Sequence, residues 1–578
     1  ERLTPGNLLW RIHEAFDRRF EGVRERYRAA LEWVLDHRKV TAGLLLVFFG
    51  LSACLLPFIG QDFFPSVDAG QMRLHVRVPA GTRLEETGRR FSQIENTIRQ
   101  VIPTGETALI LDNIGLASGI NYARGSSGGI GEADGEIDIG LTPRHHSIWG
   151  YMAEMRRILP KRYPAVTFYF QPADIETQVL DFGTSAPMDI QVLGPYQNQA
   201  GNFALAQQIQ RQVARVPGVV DPYIYQVTNA PELRLNVDRT QALQAGLTQQ
   251  NVAGNILVSL SSSSLVSPSY YLDPKNGVQY TVTVQTPQYR VTSIASLLAT
   301  PVSSTSPTQG TATPQLLSNL ATVGHDTTPA NLSHYNTLPV FDLFASAQNR
   351  DLGGTAADVR RVLNRFRAHL PRGATLALNG QALTMSTSFQ QLGLGLIFAI
   401  VMIYLLLTVN FESWVDPLVI LMASPGALSG VLWMLYVTQT TFNVPSLMGT
   451  IMCIGVATAN SILLVTFANE QRGIGKNALE AALAAGYTRF RPVIMTALAM
   501  ILGMLPMSLG LGEGGEQNAP LGRAVIGGLG VATCTTLFFV PLMYTVLRRK
   551  QPVPVDESAD HALSTVADPN DGRVGSLA

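Results

Sequence analysis

The chain has little cysteine and no net charge. Cys54, Cys453 and Cys534 are its three cysteines in 578 residues, and each lies inside a long apolar run. That placement argues against a disulfide scaffold or a cysteine-based metal cluster, because such cysteines usually act as small buried hydrophobic residues. The 42 basic residues balance the 42 acidic ones. The chain therefore has no excess of positive charge that would indicate nucleic acid as a partner.

The sequence also lacks the residue patterns of an enzyme. It contains no nucleophile elbow and no constellation of carboxylates. His145 and His146 are adjacent on a predicted loop without nearby ligands, which is typical of solvated histidines rather than of a metal site. We therefore expect no enzymatic activity, no cofactor and no bound metal.

Aspartate, glutamate, histidine, lysine and arginine are missing from the middle of every long apolar run. Glu412 and Asp416 fall in a short turn between two runs, and Glu470 follows another run. A proton-driven transporter needs a titratable group inside the membrane. The chain by itself therefore lacks the simplest kind of proton carrier.

Long apolar runs are present at both ends of the chain. Residues 40–59 form an uncharged run of the length that crosses a bilayer as a helix. Five more candidate spans lie within 391–547, at 392–409, 417–437, 444–468, 492–510 and 524–547. Basic residues before the first span and between later ones predict that both termini are cytoplasmic.

Two terminal segments flank these spans. Residues 1–39 are Arg-rich, with apolar residues at helical spacing, which predicts an amphipathic helix along a membrane surface. Residues 548–578 are polar, and we expect them to be disordered. The sequence begins at Glu1 without a signal peptide, which suggests a cut or incomplete gene product.

Between the first two spans, strand-like and helix-like segments alternate. An alternating segment at Arg73–Thr82 precedes a helical pattern at Arg83–Ile102, and the same order recurs three times. In the third copy, the strand MDIQVLG and a helix at Phe203–Val216 are followed by the strand PELRLNVD. Such units are typical of split βαβ sandwiches. A Ser-, Thr- and Pro-rich region at Ser261–Leu338 predicts exposed loops of an inserted subdomain.

The predicted fold class is thus a membrane α-helical bundle of one plus five spans with a large periplasmic α+β region. Polar residues recur in two of the spans. Thr458, Asn460 and Ser461 share one span, and Thr496 follows Arg489 at the start of the next. Small polar residues allow close helix packing, and they also serve proton relays. The residues alone leave both interpretations open.

Several of these segments resemble the C-terminal half of resistance-nodulation-division (RND) efflux permeases of the AcrB type. The most specific are FFPSVDAGQMRLHVRVPAGT, LRLNVDRTQALQAGLTQQNV, FESWVDPLVILMASPGALSG, ANSILLVTFANEQR and RFRPVIMT. The resemblance implies a first porter subdomain at 60–172. It further implies a second porter subdomain at 173–228 and 339–390, interrupted by a docking subdomain at 229–338. It also implies a trimer in the bacterial inner membrane, with a periplasmic adaptor protein and an outer-membrane channel.

The same resemblance assigns candidate proton-relay positions. The relay threonine and arginine of the family fall on Thr496 and Arg489, and Asn460 matches an asparagine beside the relay lysine. Ala459 occupies the place of that lysine. The family's paired aspartates belong to the N-terminal half, so the resemblance implies a partner half that supplies them.

In the substrate cleft, the resemblance places a switch loop at Asn113–Gly129. Its candidate residues are Gly115, Ser118, Asn121 and Tyr122, and Tyr122 is its one aromatic residue. Drug exporters of the family line this region with phenylalanines. Met72, Met152 and Met188 do not fall on the positions that pass copper or silver in metal exporters, which makes export of monovalent metals unexpected.

The leading hypothesis is a permease subunit or fragment of a proton-driven RND transporter. It would export drugs or other small amphiphilic compounds from the periplasm or inner membrane. One alternative is a half-size protein-export accessory similar to SecDF, whose plan is also one span, a large domain and five spans. Another is a non-transporting structural subunit or a decayed gene product.

Overall fold

The computed structural model describes residues 8–115, 129–173, 175–180, 184–303, 314–511 and 514–548. The chain begins with two consecutive helices, α1 (Leu8–Asp36) and α2 (Arg38–Ala53). Tyr27 and Leu31 of α1 are buried, whereas α2 exposes most of its apolar side chains. A helix that is apolar and exposed is suited to a lipid environment rather than to water.

The first α+β unit follows and has a split βαβ topology. Its elements are β1 (Gln71–Arg77), α3 (Leu84–Val101), β2 (Thr107–Ile114), β3 (Asp134–Leu141), α4 (Ile148–Arg162) and β4 (Thr167–Gln171). The strand order is β2-β3-β1-β4, with antiparallel pairing throughout. Apolar residues of β1 pack against α3 and α4 to form the core of the unit.

Both faces of β1 are buried, although its alternating sequence predicts a half-buried strand. The face that points away from the helices carries Arg73, His75 and Arg77. Nη1 of Arg77 donates to the carbonyl oxygens of Ile224 and Tyr225, at 3.3 and 3.1 Å. The polar face of this sheet is therefore covered by the next unit rather than by water.

The chain continues with a short helix, α5 (Ile175–Leu180), and then begins a second unit. Its first elements are β5 (Met188–Leu193), α6 (Gln199–Val213) and β6 (Val219–Ile224). Strand β6 was not predicted from the sequence. The strand contains Pro222 and a residue with positive φ, Asp221 (52°), and such features are tolerated at the edge of a sheet.

An insertion interrupts the second unit after β6. Its elements are β7 (Ala230–Val237), α7 (Arg239–Gln244), α8 (Gln249–Ser261), β8 (Ser269–Leu272), β9 (Gln279–Val282), α9 (Ile294–Leu298), β10 (Pro301–Val302), β11 (Gln315–Leu316), β12 (Ala321–Thr328) and β13 (Ser333–Tyr335). Strand β7 contains PELRLNV and pairs with β12. Its predicted place in the third strand–helix–strand copy is therefore wrong. The insertion has its own small core.

The second unit is completed by β14 (Leu338–Ala347), α10 (Leu352–Arg367) and β15 (Thr375–Asn379). Strand β14 pairs with β5, β6 and β13, and β5 also pairs with β15. With β13 left aside, the order β6-β14-β5-β15 repeats the topology of the first unit. Arg156 and Asp221 join the two units through an ion pair, with 2.6 Å between Nη2 and Oδ2.

The C-terminal region consists of long apolar helices. They are α11 (Gln381–Phe411), α12 (Val415–Leu421), α13 (Ser424–Val437), α14 (Val444–Gly473), α15 (Ala478–Ser508) and α16 (Gly515–Leu547). Helices α12 and α13 together make one segment, Val415–Val437. With it, α2, α11, α14, α15 and α16 give six segments long and apolar enough to cross a membrane, among the residues described. Helix α15 begins fourteen residues before Pro492, where the sequence analysis placed the start of its span. Pro492 lies inside this helix, whose preceding turns carry the small residues Ala485 and Gly486.

Candidate functional site

A polar contact joins α14 and α15 within their apolar stretches. The Thr496 hydroxyl donates to Oδ1 of Asn460 at 3.2 Å and lies 3.0 Å from the carbonyl oxygen of Val493, one turn earlier in α15. Asn460 is buried, with 5% of its surface exposed. The structure thus brings together two of the three predicted relay residues.

Arg489 lies two turns away from that contact on α15. Its guanidinium carbon is 5.0 Å from the ring centroid of Phe467 on α14. Its Nε is buried and has no hydrogen-bond partner among the described residues. Phe467 is seven residues after Asn460, and Arg489 is seven residues before Thr496, so both contacts belong to one antiparallel α14–α15 seam.

The neighbouring hydroxyls on α14 make bonds that suit helix packing. Thr458 donates to the carbonyl oxygen of Ile454 at 2.7 Å, within its own helix. Ser461 bonds the carbonyl oxygen of Ala457 at 2.8 Å and approaches the Thr536 hydroxyl of α16 at 3.3 Å. Bonds of this kind satisfy hydroxyl groups inside a helix bundle.

A second buried polar cluster surrounds Asp416 at the start of α12. Asp416 is 1% exposed and accepts from Arg548, with 2.8 Å between Nε and Oδ1 and 2.5 Å between Nη2 and Oδ2. Asn469 donates to Asp416 at 3.0 Å and accepts from the Tyr544 hydroxyl at 2.6 Å. The local sequences do not predict this cluster, because Asp416 and Arg548 are 132 residues apart and each suits a solvated connection.

A cavity of about 340 Å³ lies where the two α+β units meet the ends of α11 and α16. Its wall includes Trp149, Met152 and Phe170 from the first unit, and Gln381 and Gln517 from the starts of the two helices. Nearly half of the lining residues are polar or charged, among them Asp62, Arg156 and Arg350, so the wall combines apolar and polar surface.

Charged groups on the cavity wall are held in place by other protein groups. The Arg156 guanidinium binds Asp221 and Gln348 and lies 4.8 Å from the Phe170 ring centroid. Burial raises the pKa of Asp62, although the Leu352 backbone N–H, which donates at 2.7 Å, lowers it. The wall thus offers aromatic and aliphatic area beside charges that are already partly compensated.

The predicted switch loop is described only at its start. Gly115 has φ of +89°, a conformation that favours glycine, and its N–H donates to the carbonyl oxygen of Asp134 at 2.8 Å. Ser118, Asn121 and Tyr122 lie outside the described residues. Ile130, just after the gap, lines a second cavity of about 430 Å³ between the first unit and the insertion.

The three methionines considered in the sequence have different surroundings. Met72 and Met152 both line the cavity of about 340 Å³, while Met188 is fully buried in the core of the second unit. Met72 also packs in the core of the first unit. Two of these residues therefore line the cavity.

Comparison with known proteins gives consistent matches over nearly the whole chain. A family model described as the AcrB/AcrD/AcrF family matches residues 4–548. Two similar solved structures are X-ray crystal structures of a heavy metal efflux pump, in crystal forms II and I. Their sequence identities are 22% and 23%, with TM-scores of 0.76 and 0.75. Each match covers 92% of this chain and 53% of the solved one, so the chain spans about half the length of these structures. At this identity, the likeness shows the fold alone.

Proposed function

Because the chain belongs to the AcrB/AcrD/AcrF family of RND permeases, we propose that it is the C-terminal part of a proton-driven exporter of small amphiphilic compounds. Members of this family are transport proteins, and the expectation that the chain is not an enzyme is confirmed by this membership. The matched model also favours an efflux permease over an accessory similar to SecDF. A non-transporting subunit is the alternative that the experiment below addresses.

In this proposal, the first α+β unit is the first porter subdomain, at 60–172. The second unit, at 173–228 and 339–390, is the second porter subdomain, and the insertion at 229–338 is the docking subdomain. Support comes from the repeated sheet topology of the two units and from the separate core of the insertion. The six apolar helices would lie in the bacterial inner membrane, with both termini cytoplasmic.

The α14–α15 seam is the proposed proton path on this side of the transporter. Thr496 is exposed in this chain although its hydroxyl bonds the buried Asn460. Ala459, at the position of the family lysine, is exposed on the neighbouring face of α14. Both residues could therefore contact helices of a partner half, which would supply the acidic groups.

The proposed substrate-binding site is the cavity of about 340 Å³. It lies at the junction of the two α+β units and the starts of two candidate spans, where a compound could enter from the periplasm or the outer leaflet. Its wall combines aromatic and aliphatic residues with charged and amide side chains, which suits an amphiphilic organic molecule. A trimer with an adaptor protein and an outer-membrane channel would complete the export route.

Filling the cavity tests this assignment directly. Ser66 is an exposed residue on the cavity wall, so Ser66→Trp adds an indole there without removing a core contact. Ser92→Trp places the same bulk on the exposed side of α3 and serves as the matched control. Each variant would be co-expressed with the partner half in an efflux-deficient bacterium, and accumulation of a fluorescent amphiphilic dye would be measured.

We expect Ser66→Trp to raise dye accumulation towards the level of cells without the transporter, while Ser92→Trp keeps accumulation low. Equal dye export by both variants would contradict the cavity assignment. Absence of export by the unmodified pair would favour a non-transporting subunit. Copper and zinc tolerance measured in the same strains would identify metal ions as the substrate instead.

A further inference from the structure

The amphipathic helix α1 has three chemically distinct stripes. The first is buried against α15 and α16: Tyr27 donates to the carbonyl oxygen of Leu537 at 2.9 Å and stacks on Phe490. Leu31 occupies the space beside Gly486, where a Cβ would lie 2.6 Å from Leu31 Cδ2. This stripe fixes the rotation of α1 about its own axis.

The second stripe is predominantly acidic. It consists of Arg18, Glu21, Glu25, Arg28, Glu32 and Asp36. Glu21 and Glu25 both accept from the Tyr487 hydroxyl, at 3.2 and 2.9 Å. Tyr487 precedes Phe490 by almost one turn and is nearer the N-terminal end of α15, which is the cytoplasmic end in the proposed topology. The acidic stripe therefore faces the cytoplasm.

The third stripe, which we name the basic stripe, lies on the opposite flank of α1. Its residues recur at intervals of four and three and are all exposed: Arg19, Val23, Arg26, Ala30, Trp33 and His37. It contains no acidic residue. Neither Arg19 nor Arg26 forms an ion pair or hydrogen bond with the described residues.

The same sequence spacing resumes in α2, after the helix is interrupted at His37 (φ −100°, ψ 46°). The next members of the series are Val40, Leu44, Val47 and Leu51, which are 60, 66, 71 and 55% exposed. This apolar face belongs to a candidate span and suits contact with lipid tails. The C-terminal end of the basic stripe, at Trp33 and His37, therefore lies next to α2 and its exposed apolar surface.

From this arrangement we propose that the basic stripe binds the headgroups of anionic phospholipids in the cytoplasmic leaflet. Arg19 and Arg26 pair with lipid phosphates, and Trp33 lies at the headgroup level, where an indole ring is favoured. Basic residues next to a membrane attract anionic lipids in this way. The inference rests on the proposed membrane topology and is independent of whether the chain transports anything.

Tryptophan quenching by brominated lipid tests the proposal. The full chain is reconstituted in nanodiscs of phosphatidylcholine that contain a minor fraction of brominated phosphatidylglycerol or, as a reference, brominated phosphatidylcholine. Subtraction of the Trp33→Phe variant isolates the Trp33 signal. We expect stronger quenching by the anionic lipid, corresponding to about fivefold local enrichment for each arginine.

The double variant Arg19→Gln/Arg26→Gln should lose this enrichment of anionic lipid. In Arg26→Gln alone, the enrichment should fall about fivefold. Arg28→Gln is the matched control, because Arg28 belongs to the acidic stripe and pairs with Glu32 at 3.1 Å. Equal quenching by the two brominated lipids, or an equal loss in the control, would overturn the proposal. Reversal of the enrichment by millimolar inorganic phosphate would also overturn it, by showing that the arginines take free phosphate. Dye export is measured separately, so its failure leaves this result unaffected.

Discussion

Asp189 in the second α+β unit gives the clearest pH-dependent prediction. It lies on β5 with 5% of its surface exposed, and its Oδ2 accepts from Gln191 at 2.8 Å. Its Oδ1 is buried and has no hydrogen-bond partner among the described residues. Burial, and secondarily the negative charge of Asp342 on the adjacent strand, raise the pKa of Asp189 from 3.8 to about 7.

A raised pKa means that the folded state holds this proton more tightly than the unfolded chain does. The stabilisation of the folded state by protonated Asp189 is complete below about pH 4, and it is lost as the pH rises to about 7. Each tenfold change in proton affinity corresponds to 1.36 kcal/mol. Between pH 5 and pH 8, the contribution of Asp189 to the free energy of unfolding therefore falls by up to about 3 kcal/mol. Relaxation around the buried ion reduces this loss to about 1–2 kcal/mol.

Asp189→Asn tests this reasoning, because asparagine keeps the acceptor for Gln191 and stays neutral. We expect the difference in unfolding free energy between the variant and the wild type to shift in favour of the variant by about 1–2 kcal/mol from pH 5 to pH 8. Thermal unfolding of the purified protein in detergent at both pH values measures the difference. Glu85→Gln, an exposed carboxylate on α3, should show no such pH-dependent gain. An identical difference between Asp189→Asn and wild type at both pH values would refute the reasoning.

Two further predictions concern the helix bundle. Thr496→Ala removes the hydroxyl that donates to Asn460, so we expect dye export to fall several-fold. Thr496→Ser keeps a hydroxyl and should restore export. Unchanged export in Thr496→Ala would exclude Thr496 from the relay. Asp416→Asn leaves the Arg548 guanidinium without its carboxylate, and we expect a loss of about 2 kcal/mol in unfolding free energy. A double-mutant cycle with Arg548→Gln should show strong coupling between the two residues, and simple additivity would contradict a stabilising Asp416–Arg548 ion pair.

The general plan of the chain could be predicted because it depends on local patterns. A run of about twenty apolar residues is long enough to cross a membrane as a helix, and six helices of sufficient length and apolarity are present among the described residues. Alternation within β1, β3 and β4 likewise predicted strands. The edge strand β6 was missed because Pro222 and Asp221 weaken its local pattern. Its pairing with β14, more than a hundred residues later, stabilises it.

The contacts of the candidate site depended on information that no single segment contains. Asp416 and Arg548 meet across 132 residues, and neither local sequence indicates burial. The polar face of β1 was expected to be solvated because its cover, the second unit, comes from a later part of the chain. Asn460 and Thr496 could be assigned to one seam only through the family resemblance, since helical spacing alone does not give the register between α14 and α15.

The exposure of the α14–α15 seam bears on the proposed partner half. Ala459 and Thr496 are both exposed, and the neighbouring face of α14 also exposes Met452 (39%) and Leu463 (43%). Apolar residues on that face tolerate lipid, but the Thr496 hydroxyl gains from a polar neighbour in hydrocarbon. An alanine at 459 leaves room there for a side chain from another helix. A partner half with an acidic residue facing this position would therefore both cover the seam and supply the titratable group that the apolar runs of this chain lack at mid-depth.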